Sequence, residues 1–222
     1  DAAVRQVSRG ERCSDAGRDA VLLEVVALTA RLAFAEDGVL QLHLGGLRDA
    51  SPRVLALVGH DGGGDVMDDE RQAPGLARFL GDLERDGTLP RTILYNLNPA
   101  DNALFASMAG LFSRPGVPTV VQWGPPWWFS DHEAGIRLQL DDLSQIDQIA
   151  GFVGMLTDSR SILSMTRHEL FRRVLCDVIG HDVDQGRLPV DLDWLSTVVR
   201  DVCLDNAVRF FGLPTLGTDS GA

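Results

Sequence analysis

The sequence predicts an α/β protein of about four strand–helix units, and three observations carry that reading. Short apolar runs recur at 39–44, 92–97, 119–123 and 152–156. A segment with helical periodicity follows each strand-like run except where a long loop intervenes. Gly, Pro, Asn and Asp clusters punctuate the boundaries, and the crossovers are long enough for parallel pairing. A closed parallel barrel of this type needs eight such units. Four could instead form a small doubly wound open sheet. No phosphate-binding G-x-G-x-x-G or G-x-x-x-x-G-K-S/T motif follows any strand, and Gly62-Gly63-Gly64 lies mid-loop.

Taken in order, residues 1–13 are polar and read as irregular and flexible. Ser14 is placed to cap a helix running to about Glu36, with Leu22, Val25, Val26, Thr29 and Leu32 on its apolar stripe and Gly38 ending it. The run 39–44 alternates: Leu40, Leu42 and Leu44 share one face of a strand, Gln41 and His43 the other. Residues 47–72 read as a long acidic, Gly-rich loop, of the length that forms a lid or binding loop or is disordered. Its Asp61, Asp65, Asp68 and Asp69 do not follow calcium-loop spacing. A helix over about 74–86, carrying Leu76, Phe79, Leu80 and Leu83, leads through Gly87 into the strand 92–97. Asn98-Pro99 turns into a helix reaching about Phe112, and Gly116 and Pro118 precede the strand 119–123.

The loop 124–132 then carries Trp127-Trp128-Phe129. Three consecutive aromatics in a Gly/Pro-rich loop suit the wall of a pocket or an interface, or a hydrophobic plug beneath the loop. A helix to about Ile149 leads into the run 152–156, which ends at Thr157-Asp158-Ser159-Arg160. After it, Leu170, Phe171, Val174, Leu175, Val178 and Ile179 share one helix face, with Gly180 a plausible stop. This stretch places a carboxylate and a guanidinium two residues apart at a strand end, although Asp158 could equally cap the helix. Asp191 is placed to cap a last helix bearing Leu192, Leu195, Val198, Val199 and Val202 and ending near Phe211. Residues 215–222 read as a flexible tail.

With 222 residues, 45% hydrophobic and 23% charged, the chain suits one soluble globular domain with a sizeable core. A net charge of −12 leaves no basic stripe for nucleic acid. All 20 cationic side chains other than His are Arg. No apolar run reaches membrane-spanning length and no signal peptide is visible. Cys13, Cys176 and Cys203 are scattered and fit reduced thiols, with the last two expected in helix faces. A cytoplasmic protein with no membrane partner is expected. Asp1 rather than Met in first place suggests that something precedes it.

Several of these segments together resemble one family. They are Gln41-Leu42-His43-Leu44-Gly45; Thr92-Ile93-Leu94-Tyr95-Asn96-Leu97-Asn98-Pro99; Trp127-Trp128-Phe129; Gly154-Met155-Leu156-Thr157-Asp158-Ser159-Arg160-Ser161; and Arg167-His168-Glu169-Leu170-Phe171-Arg172-Arg173. In order and spacing, over about residues 20–212, they resemble the uronate isomerases of the amidohydrolase superfamily. Two stretches depart from the usual pattern: Ser161-Ile162-Leu163-Ser164-Met165, where aromatics are frequent, and Gly124-Pro125-Pro126, where small residues are usual.

The resemblance implies the C-terminal half of a distorted (β/α)8 TIM barrel: strands five to eight and the C-terminal helices. It implies aldose–ketose isomerisation of D-glucuronate to D-fructuronate and of D-galacturonate to D-tagaturonate. A divalent metal, expected to be zinc, belongs with that chemistry. Its His-x-His ligands would lie in an N-terminal half absent from this chain, where no H-x-H occurs. By resemblance Asp158 is a metal ligand that could also relay a proton. Arg160 would pair with the substrate carboxylate or stabilise an oxyanion, and His43 would point into the mouth. Arg48, Trp127, Trp128, Arg167 and His168 would line the substrate, although Arg167 and His168 could instead only brace the Asp158 loop. The expected partners are a small-molecule hexuronate and the N-terminal half of the same protein, with a homo-oligomer left open. Two alternatives stand beside this: a metal-dependent hydrolase on the same barrel, and an inactive half-barrel fragment with open sheet edges. The isolated chain is expected to be inactive.

Overall fold

The computed structural model describes residues 2–113, 119–159 and 161–214. In chain order the elements are α1 (Ala2–Ser8), α2 (Asp15–Ala35), β1 (Val39–Leu44), β2 (Gly46–Leu47), α3 (Pro52–Val58), β3 (Val66–Met67), α4 (Ala73–Arg85), β4 (Arg91–Asn96), α5 (Asn102–Leu111), β5 (Val121–Trp123), α6 (Glu133–Ile146), α7 (Thr166–Asp184), α8 (Leu192–Arg200) and α9 (Asn206–Phe211). The described residues cluster into two compact units, one drawn from 1–40 with 74–91, the other from 41–73 with 92–222. Gly116, Pro118, Arg160 and the 215–222 tail lie outside the described residues.

In the first unit the residues read as irregular form α1. The Ser14 hydroxyl accepts the Gly17 N–H at 3.2 Å and caps α2. The stripe expected to face inward does not. Leu22, Val25 and Leu32 are each more than half exposed, while Ala30 is fully buried and Val26 and Ala33 partly so. The apolar residues of this helix spread over more than one row, and the row that is covered runs through Val26, Ala30 and Ala33. At the end of α2, Asp37 adopts a positive φ of 52°, and Gly38 N–H returns to the Ala33 carbonyl. Leu76, Leu80 and Leu83 of α4 are buried, as their spacing predicts.

The second unit holds a three-stranded sheet in the order β1-β4-β5, whose first strand begins in the other unit. β4 and β5 are parallel, with Thr92 opposite Val121 and Leu94 opposite Trp123. β4 is buried from Thr92 onward, as expected of a parallel strand covered on both faces. α5 packs on β5 and on α6, and α6 on α7. A chain of polar side chains crosses this core: Trp123 Nε1–H donates to Asn96 Oδ1 at 2.7 Å, Asn96 Nδ2 to Asn102 Oδ1 at 2.9 Å, and Asn102 Nδ2 to Asp142 Oδ2 at 3.2 Å.

Four expectations need correction here. Residues 47–72 are not one long loop, because β2 and β3 pair antiparallel and α3 lies between them. Their acidic residues are used internally: Asp65, whose side chain is 3% exposed, accepts the Asp49 N–H at 2.8 Å and Arg48 Nη1 at 2.9 Å. The run 152–156 forms no strand. Gly154 has φ +77°, which breaks an extended run, and a Cβ there would stand 2.1 Å from the Val202 carbonyl oxygen. Side chains replace the ladder: Gln122 Oε1 accepts the Val153 N–H at 3.3 Å, and Asn206 Nδ2 donates to the carbonyls of Ala150 and Phe152 at 2.7 and 2.9 Å. Phe152 and Val153 are buried regardless.

The third correction is α7, which runs through Gly180 to Asp184. A glycine ends a helix only where the chain turns left-handed, and Gly180 does not. Last, the final helix is interrupted by a π turn at Asp201–Asp205, although Asp191 caps its start by accepting the Trp194 N–H at 3.0 Å. No helix among the described residues is long and apolar enough to cross a membrane.

Candidate active site

The strand ends of the second unit gather the polar groups. His43 sits on the β1 face opposite Leu42, as the alternation predicts, and its side chain is 27% exposed. Its Nε2 stands 3.3 Å from Asp158 Oδ2. The same carboxylate oxygen accepts Trp127 Nε1–H at 3.2 Å. The His43 ring lies between two aromatics, stacked on Tyr95 at 4.3 Å and 5°, with the Trp127 ring edge-on at 4.8 Å. Burial holds His43 below the ordinary imidazole value; Asp158 pulls the other way and Arg48 adds to the lowering. The ring is therefore neutral at neutral pH. It does not bond to Gln41, whose Oε1 instead accepts the Tyr95 hydroxyl at 2.7 Å.

Asp158 caps no helix. It holds a positive φ of 39°, a conformation that non-glycine residues adopt rarely and mostly as Asn or Asp. Tyr95 carries no parity signal in the sequence, because every residue of β4 after Arg91 is buried. Burial also pushes its hydroxyl far above the ordinary phenol value, so it remains a proton donor to Gln41. The one available signal was that it is the chain's sole tyrosine, at a strand end.

Arg48 donates to Asp65 at 2.9 Å, and its guanidinium lies 5.5 Å from the centre of the Trp128 ring. Trp128 in turn stacks on Phe129 at 4.8 Å and 9°. Trp127 and Trp128 thus wall this group, whereas a plug would bury them; Trp128 is 38% exposed. Arg167 donates to Asp131 and to the Thr157 carbonyl. His168, next along α7, takes no part in these contacts. Among the described residues no group of three or more metal-ligating side chains occurs. A metal centre therefore does not fit on these residues alone, and Asp158 could serve only as one ligand of it.

The class that fold and contacts define is an α/β protein in which a His–carboxylate pair, an arginine and an aromatic wall lie together beside the sheet. The glucuronate isomerase family model matches residues 3–211. The chain belongs to the glucuronate isomerase family. It is 47% identical over 190 residues to the uronate isomerase of Shouchella clausii, covering 86% of this chain and 40% of that protein. It is 47% identical over 173 residues to that of Histophilus somni, covering 78% and 37%. The chain thus spans about two fifths of the length of these curated relatives. The crystal structure of the Thermotoga maritima uronate isomerase matches with a TM-score of 0.84 and 31% identity, covering 95% of this chain and 45% of that one.

Proposed function

We propose that this chain is the C-terminal part of a uronate isomerase, contributing one half of a (β/α)8 barrel of the amidohydrolase type. The reaction interconverts D-glucuronate with D-fructuronate and D-galacturonate with D-tagaturonate. The observation that supports it best is the His43–Asp158–Trp127 group, assembled from segments far apart in sequence: the end of β1, the loop after β5 and the irregular run before α7.

Isomerisation through an enediol takes the C2 proton to a base while the carbonyl oxygen O1 gains a proton. Reprotonation at C1, with loss of the O2 proton, gives the 2-ketose. Neutral His43 Nε2 and the Asp158 carboxylate are the two groups able to accept and return those protons. Arg160 would pair with the uronate carboxylate, and Arg48, whose side chain is about half exposed beside Trp128, would add a second cation near the substrate. Trp127 and Trp128 exclude water from one side. A divalent metal, zinc by expectation, would polarise the carbonyl and hydroxyl oxygens, with Asp158 one ligand among others supplied from outside these residues.

The test is ketose formation from D-glucuronate and D-galacturonate by the full-length protein, with and without added zinc. A His43→Ala or Asp158→Asn variant should lose at least about a hundredfold in kcat. An intact protein that forms no ketose but hydrolyses lactones or esters would overturn the isomerase reading.

A further inference from the structure

Beside the candidate site Arg167, itself partly exposed, ties down a buried carboxylate, Asp131. One nitrogen, Arg167 Nη1, donates both to Asp131 Oδ2 at 2.7 Å and to the Thr157 carbonyl at 3.1 Å. Thr157 is the residue before Asp158, and Asp158 holds an unfavourable left-handed φ. A residue in that conformation persists only when its surroundings over-determine it. The Asp131 side chain is 4% exposed, and its second oxygen, Oδ1, is buried with no hydrogen-bond partner. A carboxylate withdrawn that far from water needs its cation.

The two ends of one loop therefore hold two adjacent residues. Trp127, at its start, donates to the Asp158 carboxylate. Asp131, at its end, reaches the Thr157 carbonyl through Arg167. Arg167 is occupied on both acceptors inside the fold, so a substrate carboxylate would have to displace one of them.

We propose that Asp131 is a positioning residue that acts through Arg167 to set the backbone at Thr157, and so the place of the Asp158 carboxylate; Arg167 is a brace and not a substrate clamp. This rests on the isomerase reading for its kinetic consequence only. The loop that carries the aromatic wall and the loop that carries the reacting carboxylate move as one piece.

The test uses the full-length protein with Asp131→Asn, Arg167→Met and the double variant. Wild-type ketose formation is measured first, so that failure of the isomerase reading is seen before any variant is compared. Each single variant should lower kcat by about tenfold to a hundredfold, the scale of a displacement near 1 Å, while KM stays within about threefold. The double variant should fall no further than the worse single one, because the two act as a unit. An independent readout needs no turnover: the indole N–H resonance of Trp127, assigned with Trp127→Phe, should shift in Asp131→Asn and Arg167→Met. Asp131→Asn preserves shape and decides the matter should Arg167→Met fold poorly. A tenfold rise in KM with kcat unchanged would make Arg167 a substrate clamp and overturn the proposal. So would an unmoved Trp127 resonance in both variants.

Discussion

Gly124 follows β5, and its missing side chain is what lets Tyr95 lie where His43 stacks on it. A Cβ at that position would stand 2.4 Å from Tyr95 Cε1, 2.7 Å from Cδ1 and 2.9 Å from Ile93 Cγ2. Ordinary contact begins at 3.4 Å, so Gly124→Ala requires the ring to retreat by 1.0 Å, the difference between 3.4 and 2.4 Å. Tyr95 is 2% exposed and Ile93 fully buried, so neither can swing into solvent. Overpacking of this kind costs about 1–3 kcal/mol. The displaced ring carries His43 with it through the stack and through its bond to Gln41, and a catalytic group misplaced by about 1 Å loses up to about a hundredfold in rate. Urea unfolding followed by tryptophan fluorescence gives the first quantity and ketose formation the second. In a Tyr95→Ala background the same change should cost less, since the main obstacle is gone. A Gly124→Ala protein with wild-type urea midpoint and wild-type kcat would refute the reasoning.

Asn206→Asp removes both N–H donors from the carbonyls of Ala150 and Phe152. It should cost about 2–6 kcal/mol in urea unfolding, at about 1–3 kcal/mol per unmet group. Gly81, inside α4, has open space where a Cβ would stand, so Gly81→Ala should raise stability by about 1 kcal/mol, read from the same melts. His60 is raised above its ordinary value of 6.5 by the hydrogen bond and charge of Asp49, whose Oδ2 lies 2.6 Å from Nδ1, with Asp61 adding. Its favourable contribution is complete below 6.5 and is lost as pH rises through the raised folded value. The NMR titration midpoint of His60 should therefore lie above 6.5 and fall in Asp49→Asn.

The sequence made the elements around the site legible wherever one period dominated. Alternation in 39–44 put His43 on the polar face, and the leucine spacing of α4 named its buried row. It misled where apolar character was present without the matching backbone. The run 152–156 is as apolar as a strand, but its hydrogen bonds come from Gln122 and Asn206, more than 25 positions away on either side. The apolar residues of α2 spread over more than one row, and periodicity alone does not rank them. The acidic stretch 47–72 looked unstructured because its carboxylates are spent on each other's neighbours, Asp65 on Asp49 and Arg48, and Asp49 on His60. Around the candidate site, His43, Asp158, Trp127 and Trp128 stand in short motifs and Arg48 just past one, and the five lie near one another. Asp131 stands in no such motif, and Tyr95 stands in one without a sign of its role, because what distinguishes both is burial and a partner.

Parallel strands rich in Ile, Leu and Val slide past one another at little cost, since one greasy alignment buries nearly as much surface as the next. The Asn96–Trp123 bond discriminates among those alignments. With Leu94 opposite Trp123, the indole N–H meets an amide oxygen; displaced by a residue or two, it would face an apolar neighbour and Asn96 would be stranded in the core, with Asn102 and Asp142 losing their partners in turn. A chain that mispaired here would carry the penalty of several unmet polar groups at once. The asparagines of β4 and α5 thus reject wrong alignments more than they strengthen the right one, and replacing them with leucines should yield a protein that holds together yet no longer settles on one strand alignment.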